Sequence, residues 1–322
     1  MKTAYKLLCL FLAFALSFGN SIAQSYPNKP IKIVVIFPPG TASDTVARIL
    51  ASSMAPSVGQ PVIVENRPGA DGAIAAVEVA NAQPDGYTVL YGTSGPMATV
   101  PALKKTVPYD PVRDFSPISL IGRYSTFLYA NTATPFKSLK EMIDYAKGNP
   151  GKLNYATGNT GGLVSMAQVI ALAGNLNMVH VPYKGEPAAI VDLVSDRVQV
   201  MFATPTTTNT FVREGKLRML ATTLPQRHPR APEVPTMAEA GMPTFSIVVW
   251  AAIYGPAKMQ PAIVERLSRE VNLALSRPEV KEQFERQQFF AYGSTPKELE
   301  DYTKEQLNVY SRTLRSAGVH PE

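Results

Sequence analysis

Cysteine is almost absent from this 322-residue chain, and Cys9 is the only one. It lies in an N-terminal segment expected to be removed. The mature chain then has no thiol, no disulfide and no cysteine-based metal site. Stability must come from a hydrophobic core, which a chain of this length can build. Histidine is nearly as scarce, with three residues. His180, His228 and His320 do not pair at metal-ligand spacing such as one helical turn. No Gly-x-Gly-x-x-Gly and no P-loop lysine motif occurs. Gly92-Thr93-Ser94-Gly95-Pro96 carries Pro96 where a serine-hydrolase elbow needs glycine. Fixed-period repeats and low-complexity stretches are missing, and so are the Lys/Arg clusters of a nucleic-acid binder. These absences assign no catalytic residue, no metal ligand and no cofactor, and they exclude nucleic acid as a partner.

The N-terminus reads as an export signal. Lys2 and Lys6 form a short positive region, an apolar stretch runs from Leu7 to Phe18, and Ser21-Ile22-Ala23 gives a small-x-small cleavage pattern. Cleavage after Ala23 would deliver the chain to the periplasm with Gln24 first. A retained membrane anchor is disfavoured, because the run is short for roughly 30 Å of hydrocarbon. A lipoprotein is rejected, since Leu8 precedes Cys9 where a small residue is needed. Residues 1–23 hold two lysines and no acids, so the formal charge falls from +6 to +4. That weak positive field suits an anionic solute, although many inert proteins share it.

Beyond the signal, β-branched runs alternate with helical patterns. Strands are expected at Ile31–Phe37, Pro61–Glu65 and Tyr87–Tyr91, with helices at Asp44–Met54 and Gly72–Ala82 between them. This is the pattern of a parallel sheet covered by helices. The stretch Val107–Pro117, rich in proline and aspartate, interrupts it. A second series follows, with strands near 127–131, 153–157, 178–182, 198–203 and 217–222. The loop Leu224–Pro232 closes that series, and two amphipathic helices, Pro261–Ser276 and Pro296–Ser316, end the chain. The length favours two domains. The expected architecture is α/β and two-lobed, each lobe a mostly parallel sheet flanked by helices. Residues 24–122 plus 226–322 would form the first lobe and 123–225 the second.

Ligands of open α/β sheets sit beyond the carboxyl ends of the strands. Helix N-termini there offer unpaired N–H groups and partial positive charge to anions. Phe37-Pro38-Pro39-Gly40-Thr41-Ala42-Ser43-Asp44 follows the first strand, and Tyr155-Ala156-Thr157-Gly158-Asn159-Thr160-Gly161-Gly162 follows a strand of the middle series. Their glycines allow close backbone approach, and their hydroxyls add donors. One loop per lobe would make two jaws, and Thr93 and Ser94 lie in a third loop placed the same way. A plainer reading gives Ser43 or Asp44 a mere helix-capping role.

These segments resemble those of the Bug-type substrate-binding proteins that serve tripartite tricarboxylate transporters. The matching blocks include Pro38-Pro39-Gly40 through Asp44, Val64-Glu65-Asn66-Arg67-Pro68-Gly69, Pro84-Asp85-Gly86-Tyr87-Thr88, Tyr109-Asp110-Pro111, His180-Val181-Pro182-Tyr183-Lys184-Gly185 and Glu239-Ala240-Gly241. They span essentially the whole mature chain in the family's order. The resemblance implies a clamshell that closes over one small carboxylate, held by backbone groups and ordered water, and delivers it to membrane permease subunits. Carried over by position, the ligand-binding candidates are Phe37, Gly40, Thr41, Ala42 and Ser43 on one lobe, with Thr157, Gly158, Asn159, Thr160 and Thr204 on the other. The expected protein is a monomer and not an enzyme.

Two departures bear on the ligand. Amino-acid-binding members often carry an aspartate after the strand corresponding to Val198–Phe202, whereas Ala203-Thr204-Pro205-Thr206-Thr207 has no acid. A ligand ammonium is therefore expected to lack a counter-charge. The histidine that usually follows the second loop is also missing from Leu163–Gln168. With Phe37, Trp250 and several threonines as candidate wall residues, a flat or aliphatic dicarboxylate fits, and an aromatic one such as terephthalate is the preferred expectation. Trp250 lies in an apolar run and reads as core or hinge packing before ligand stacking. The alternatives are a binding protein that reports to a sensor and, more remotely, a periplasmic hydrolase of small esters or amides.

Overall fold

The computed structural model describes residues 26–316, so the expected export signal and its cleavage site lie outside the described residues. The first series contains β1 (Ile31–Val35), α1 (Ala42–Val58), β2 (Val62–Asn66), α2 (Ala73–Ala80), β3 (Thr88–Thr93), α3 (Val100–Leu103) and β4 (Phe115–Tyr124). A single π-helical turn, Gly95–Thr99, joins β3 to α3. The second series contains β5 (Phe127–Asn131), α4 (Leu139–Gly148), β6 (Asn154–Thr157), α5 (Thr160–Leu172), β7 (Val179–Pro182), α6 (Glu186–Val194), β8 (Val200–Ala203), α7 (Pro205–Arg213) and β9 (Leu217–Thr222). The chain returns as β10 (Trp250–Pro256), α8 (Pro261–Ser276), α9 (Pro278–Arg286), β11 (Phe289–Ala291) and α10 (Pro296–Ser316).

Two sheets result, one with the order β11-β4-β10-β3-β1-β2 and one with β7-β6-β8-β5-β9. Their inner strands are apolar on both faces because both faces are covered. In β1, Ile31, Ile33 and Val35 join a core with α1 and α8, while Val34 packs with Ala75 and Ala76 of α2 on the other face. In β5, Leu128 and Ala130 face one core, and Phe127 and Tyr129 the other. Trp250 is fully buried in the first sheet and meets Tyr302 edge-on at 5.4 Å, so it is core and not a ligand wall.

The α/β class and the two lobes hold, but the sheets are mixed and not mostly parallel. β1 runs parallel to β2 and β3, whereas β10 is antiparallel to β3 and β4. In the second sheet β6 is parallel to β7 and β8, whereas β5 is antiparallel to β8 and β9. The reversed strands include β5 and β10, each of which follows a crossing between lobes, whereas β4 runs in the same direction as β3. No crossover helix precedes either of the reversed strands, so the helix–strand alternation carries no sign of their direction. Pro117 also hid β4. It is tolerated there because β11 pairs only with Gly122–Tyr124, leaving that side of Pro117 without a strand partner.

The lobe boundaries also differ from those expected. The chain crosses at Ser125 and Thr126, not at 122/123, and it returns beyond Met242, not at 225/226. Ala231 and Val234 pack with Phe127, Met237 and Met242 with Phe202, and the Met237 N–H donates to the Thr222 carbonyl at 3.0 Å. The segment after β9 thus belongs to the second lobe. The two crossings lie side by side, with the Tyr124 N–H donating to the Val249 carbonyl at 2.8 Å.

Candidate ligand-binding site

Because β1, β2 and β3 are parallel, their carboxyl ends and the loops after them meet at one edge of the first lobe. Gly40 supplies a left-handed φ of 81°, which lets the chain turn from Pro39 into α1. Thr41 is the N-cap of α1, and its hydroxyl accepts from the Asp44 N–H at 3.3 Å. The first N–H groups of the helix, on Ala42 and Ser43, have no intrahelical acceptor. They face an end of positive partial charge.

An internal carboxylate organises this loop. Asp44 is 3% exposed and accepts from the Gly40 N–H at 2.9 Å, Arg48 Nε at 3.0 Å and Asn66 Nδ2 at 2.9 Å. Burial alone would raise its pKa. The hydrogen bonds from Arg48, Gly40 and Asn66, with the Arg48 charge, outweigh burial and hold the carboxyl below its usual range. Asn66 also donates to the Phe37 carbonyl at 2.9 Å, tying the end of β2 to the loop. Ser43 turns inward, its hydroxyl 2.7 Å from that of Tyr124, which is 2.6 Å from that of Tyr91. Burial pushes the Tyr124 phenol up to about 12. Phe37 stays exposed, whereas Thr93 and Ser94 are buried and serve the turn: Thr93 Oγ1 accepts from the Gly95 N–H at 3.3 Å. The structure therefore gathers Phe37, Gly40, Thr41 and Ala42 at the surface, and commits the side chains of Ser43 and Thr93 elsewhere.

In the second lobe, β6, β7 and β8 are parallel, so the segments after Thr157, Pro182 and Ala203 converge. Asn159 is the N-cap of α5, with Oδ1 accepting from the Gly162 N–H at 2.8 Å. Thr157 is buried, its hydroxyl 2.7 Å from His180 Nε2, and the His180 ring stacks on Tyr155 at 4.9 Å. Partial burial lowers the His180 pKa from its ordinary value. Gly158 is a glycine for a packing reason: a Cβ there would lie 2.5 Å from the Glu186 nitrogen.

Glu186 is the residue that sequence reasoning missed. Its Oε1 accepts from Asn159 Nδ2 at 2.9 Å, and its Oε2 accepts from Thr204 Oγ1 and Thr207 Oγ1, each at 2.9 Å, and from the Thr204 N–H at 3.2 Å. The stretch after β8 carries no acid of its own, but the sheet brings one to it from the end of β7. The expectation that this end of the site lacks a negative charge is corrected accordingly. Only the order of β6, β7 and β8 could have revealed it. Gln168, where no histidine was found, accepts from the Ser246 and Ile247 N–H groups at 3.0 Å each and ties α5 to the returning chain.

A groove lined by Lys104, Lys105, Pro108 and Arg113 shares no residue with either loop cluster. Two jaws at strand carboxyl ends are thus the geometry to compare with known proteins.

The family described as the tripartite tricarboxylate transporter family receptor matches residues 46–319. The chain belongs to that family. BugT of Bordetella pertussis is 33% identical over 314 residues, covering 96% of each chain. Among solved structures, Rpa4515 of R. palustris with adipate is 28% identical with a TM-score of 0.80, covering 92% of this chain and 100% of that one. MatC of Rhodopseudomonas palustris with bound malate is 30% identical with a TM-score of 0.75, covering 90% and 100%. The receptor is a periplasmic-type solute-binding protein and not an enzyme. Its two loop clusters are built from neutral donors, helix ends and two internal carboxylates, Asp44 and Glu186.

Proposed function

We propose that this receptor captures one small carboxylate between the Phe37–Asp44 loop and the Thr157–Thr160 loop, in the periplasm, and hands it to the permease of a tripartite tricarboxylate-type transporter. The observation that carries this reading is the pair of capped helix N-termini, Thr41–Ala42 and Asn159–Thr160, each at the convergent carboxyl ends of parallel strands. Unpaired N–H groups at such ends accept an anion. A carboxylate docks first on the Ala42 and Ser43 N–H groups, and the second lobe swings about the crossings near Tyr124 and Val249. Closure buries the ligand and forms the surface that the permease reads.

The adipate and malate of the two related structures put aliphatic diacids in the first panel of ligands. Terephthalate belongs in it because the exposed Phe37 ring could lie against a flat acid. Among the described residues no helix is long and apolar enough to cross a membrane. Thermal-shift measurements across aliphatic and aromatic mono- and dicarboxylates should find a concentration-dependent rise in melting temperature for at least one acid. Uptake assays on a strain lacking the gene then test delivery. Unchanged uptake of that acid together with a lost transcriptional response would turn the reading to a sensor's binding protein.

A further inference from the structure

We infer that Glu186 sets which second group a ligand can carry: it favours a cationic or hydrogen-bond-donating end over a second carboxylate. This rests on the capture reading above and extends it to the far end of the ligand.

Four hydrogen bonds to Glu186 come from the second-lobe jaw itself, from Asn159, Thr204 and Thr207. Asn159 and Thr204 are the residues whose types and positions suit an incoming carboxylate, and an internal one already occupies them. A ligand's second carboxylate would have to displace Glu186 or lie beside it, and like charges brought together in a binding site are disfavoured.

The carboxylate is also fixed and lacks a basic partner. No ion pair among the described residues includes Glu186, and all four of its donors are neutral. Its backbone is pinned as well, because Gly158 packs against the Glu186 nitrogen and Cα at distances no side chain at 158 would allow. A half-buried charge held by neutral donors keeps its field for whatever enters the site. An ammonium or a hydroxyl on the ligand would complete it. The chain would thereby depart from the two related proteins that carry adipate and malate, both diacids.

The test uses aliphatic diacids, each matched to the ω-amino, ω-hydroxy and unsubstituted monocarboxylate of equal length. Calorimetric titration of the exported protein should show the ω-amino or ω-hydroxy acid binding about tenfold or more tightly than the matched diacid. Glu186→Gln should shrink or reverse that ratio by raising diacid affinity relative to the matched ω-amino acid. Glu186→Ala, which frees Asn159, Thr204 and Thr207 without adding a group, should act in the same direction. Tighter diacid binding by the wild-type protein, with a ratio that neither substitution moves, overturns the inference while leaving carboxylate capture intact. No binding of any matched acid to any of the three proteins would overturn the capture reading itself.

Discussion

At the scale of single residues, the site is a set of commitments made by small polar side chains. Asp44 accepts hydrogen bonds from Gly40 of the loop, Arg48 of α1 and Asn66 at the end of β2, and the Gly40 N–H and Asn66 hold the loop's backbone. Asp44→Asn keeps the size but loses the charge, and hydrogen bonds to a buried charged group are worth about 1.5–3 kcal/mol each. The substitution should lower stability by about 2 kcal/mol and weaken ligand binding, checked by urea unfolding and titration. The sign with pH follows from the depressed pKa of Asp44. Its contribution is present above the unfolded value of about 4 and is lost as pH falls through the lower folded value. Wild type should therefore lose stability as pH falls below about 4 in excess of the Asp44→Asn variant.

The two glycines of the jaws differ in kind. At Gly158 a side chain meets backbone, so Gly158→Val should abolish binding by moving the Gly185–Glu186 segment. Gly40 has open space around its Cβ position, and its constraint is the left-handed φ, so Gly40→Ala should cost about 1–2 kcal/mol without a clash. Melting curves and titrations of the two variants separate the cases: the first variant should lose ligand, and the second mainly melting temperature. Tyr124→Phe leaves the Ser43 and Tyr91 hydroxyls buried without their shared partner and should cost about 1–3 kcal/mol. A Ser43→Ala, Tyr124→Phe double variant that loses as much as the sum of the single changes would contradict that coupling.

At the scale of elements, the first jaw was legible in the sequence and the second only in part. Gly40, Thr41 and Asp44 announce a turn, a cap and a helix start within five residues, because helix capping is local. Thr157–Thr160 announces itself in the same way through Asn159. Glu186 does not, since its partners Thr204 and Thr207 come from another strand end, and local spacing carries no record of strand order. β4 and β10 escaped for a related reason. Pro117 masks the start of one, and the other follows a long irregular return that belongs to the second lobe. Trp250, read as core ahead of ligand stacking, is core because it lies in β10 with helices covering its sheet.

His228 links elements of both lobes. It is 4% exposed and packs its ring 5.6 Å from that of Phe127 in β5 and 5.3 Å from that of Phe290 in β11. Burial lowers its pKa, and the Arg230 charge adds to this, against a Gln288 hydrogen bond and the Glu285 charge that raise it. The folded state therefore resists protonation. Its contribution is present above the unfolded value of about 6.5 and is lost as pH falls below that toward the folded value. Melting temperature should drop as pH falls below about 6.5, and His228→Gln should flatten that part of the profile. An unchanged slope in the variant would assign the dependence to another group.

At the scale of the whole molecule, an apolar cluster joins the lobes beside the site. Val164 and Ala167 of α5 pack with Ala98, Ala102 and Tyr310 of the first lobe, and with Ile247 of the returning chain. The jaw at Asn159 is thus the end of a helix whose body is anchored to the other lobe, while the crossings at Tyr124 and Val249 sit nearby. Closure on this frame requires only that the second jaw rotate about that anchored side. Val164→Ala opens a small cavity in the cluster and should cost about 1–2 kcal/mol of stability. It should also change ligand affinity without touching ligand, a pairing that titration and unfolding of the same sample would reveal.

The central claim is capture of an intact small carboxylate, and calorimetric titration of the protein with the acid that most raises its melting temperature tests it most directly. The account predicts saturable one-to-one binding that Gly158→Val abolishes, with the acid recovered unchanged after prolonged incubation. Absence of binding to every carboxylate tried, or conversion of the acid to a product, would contradict it.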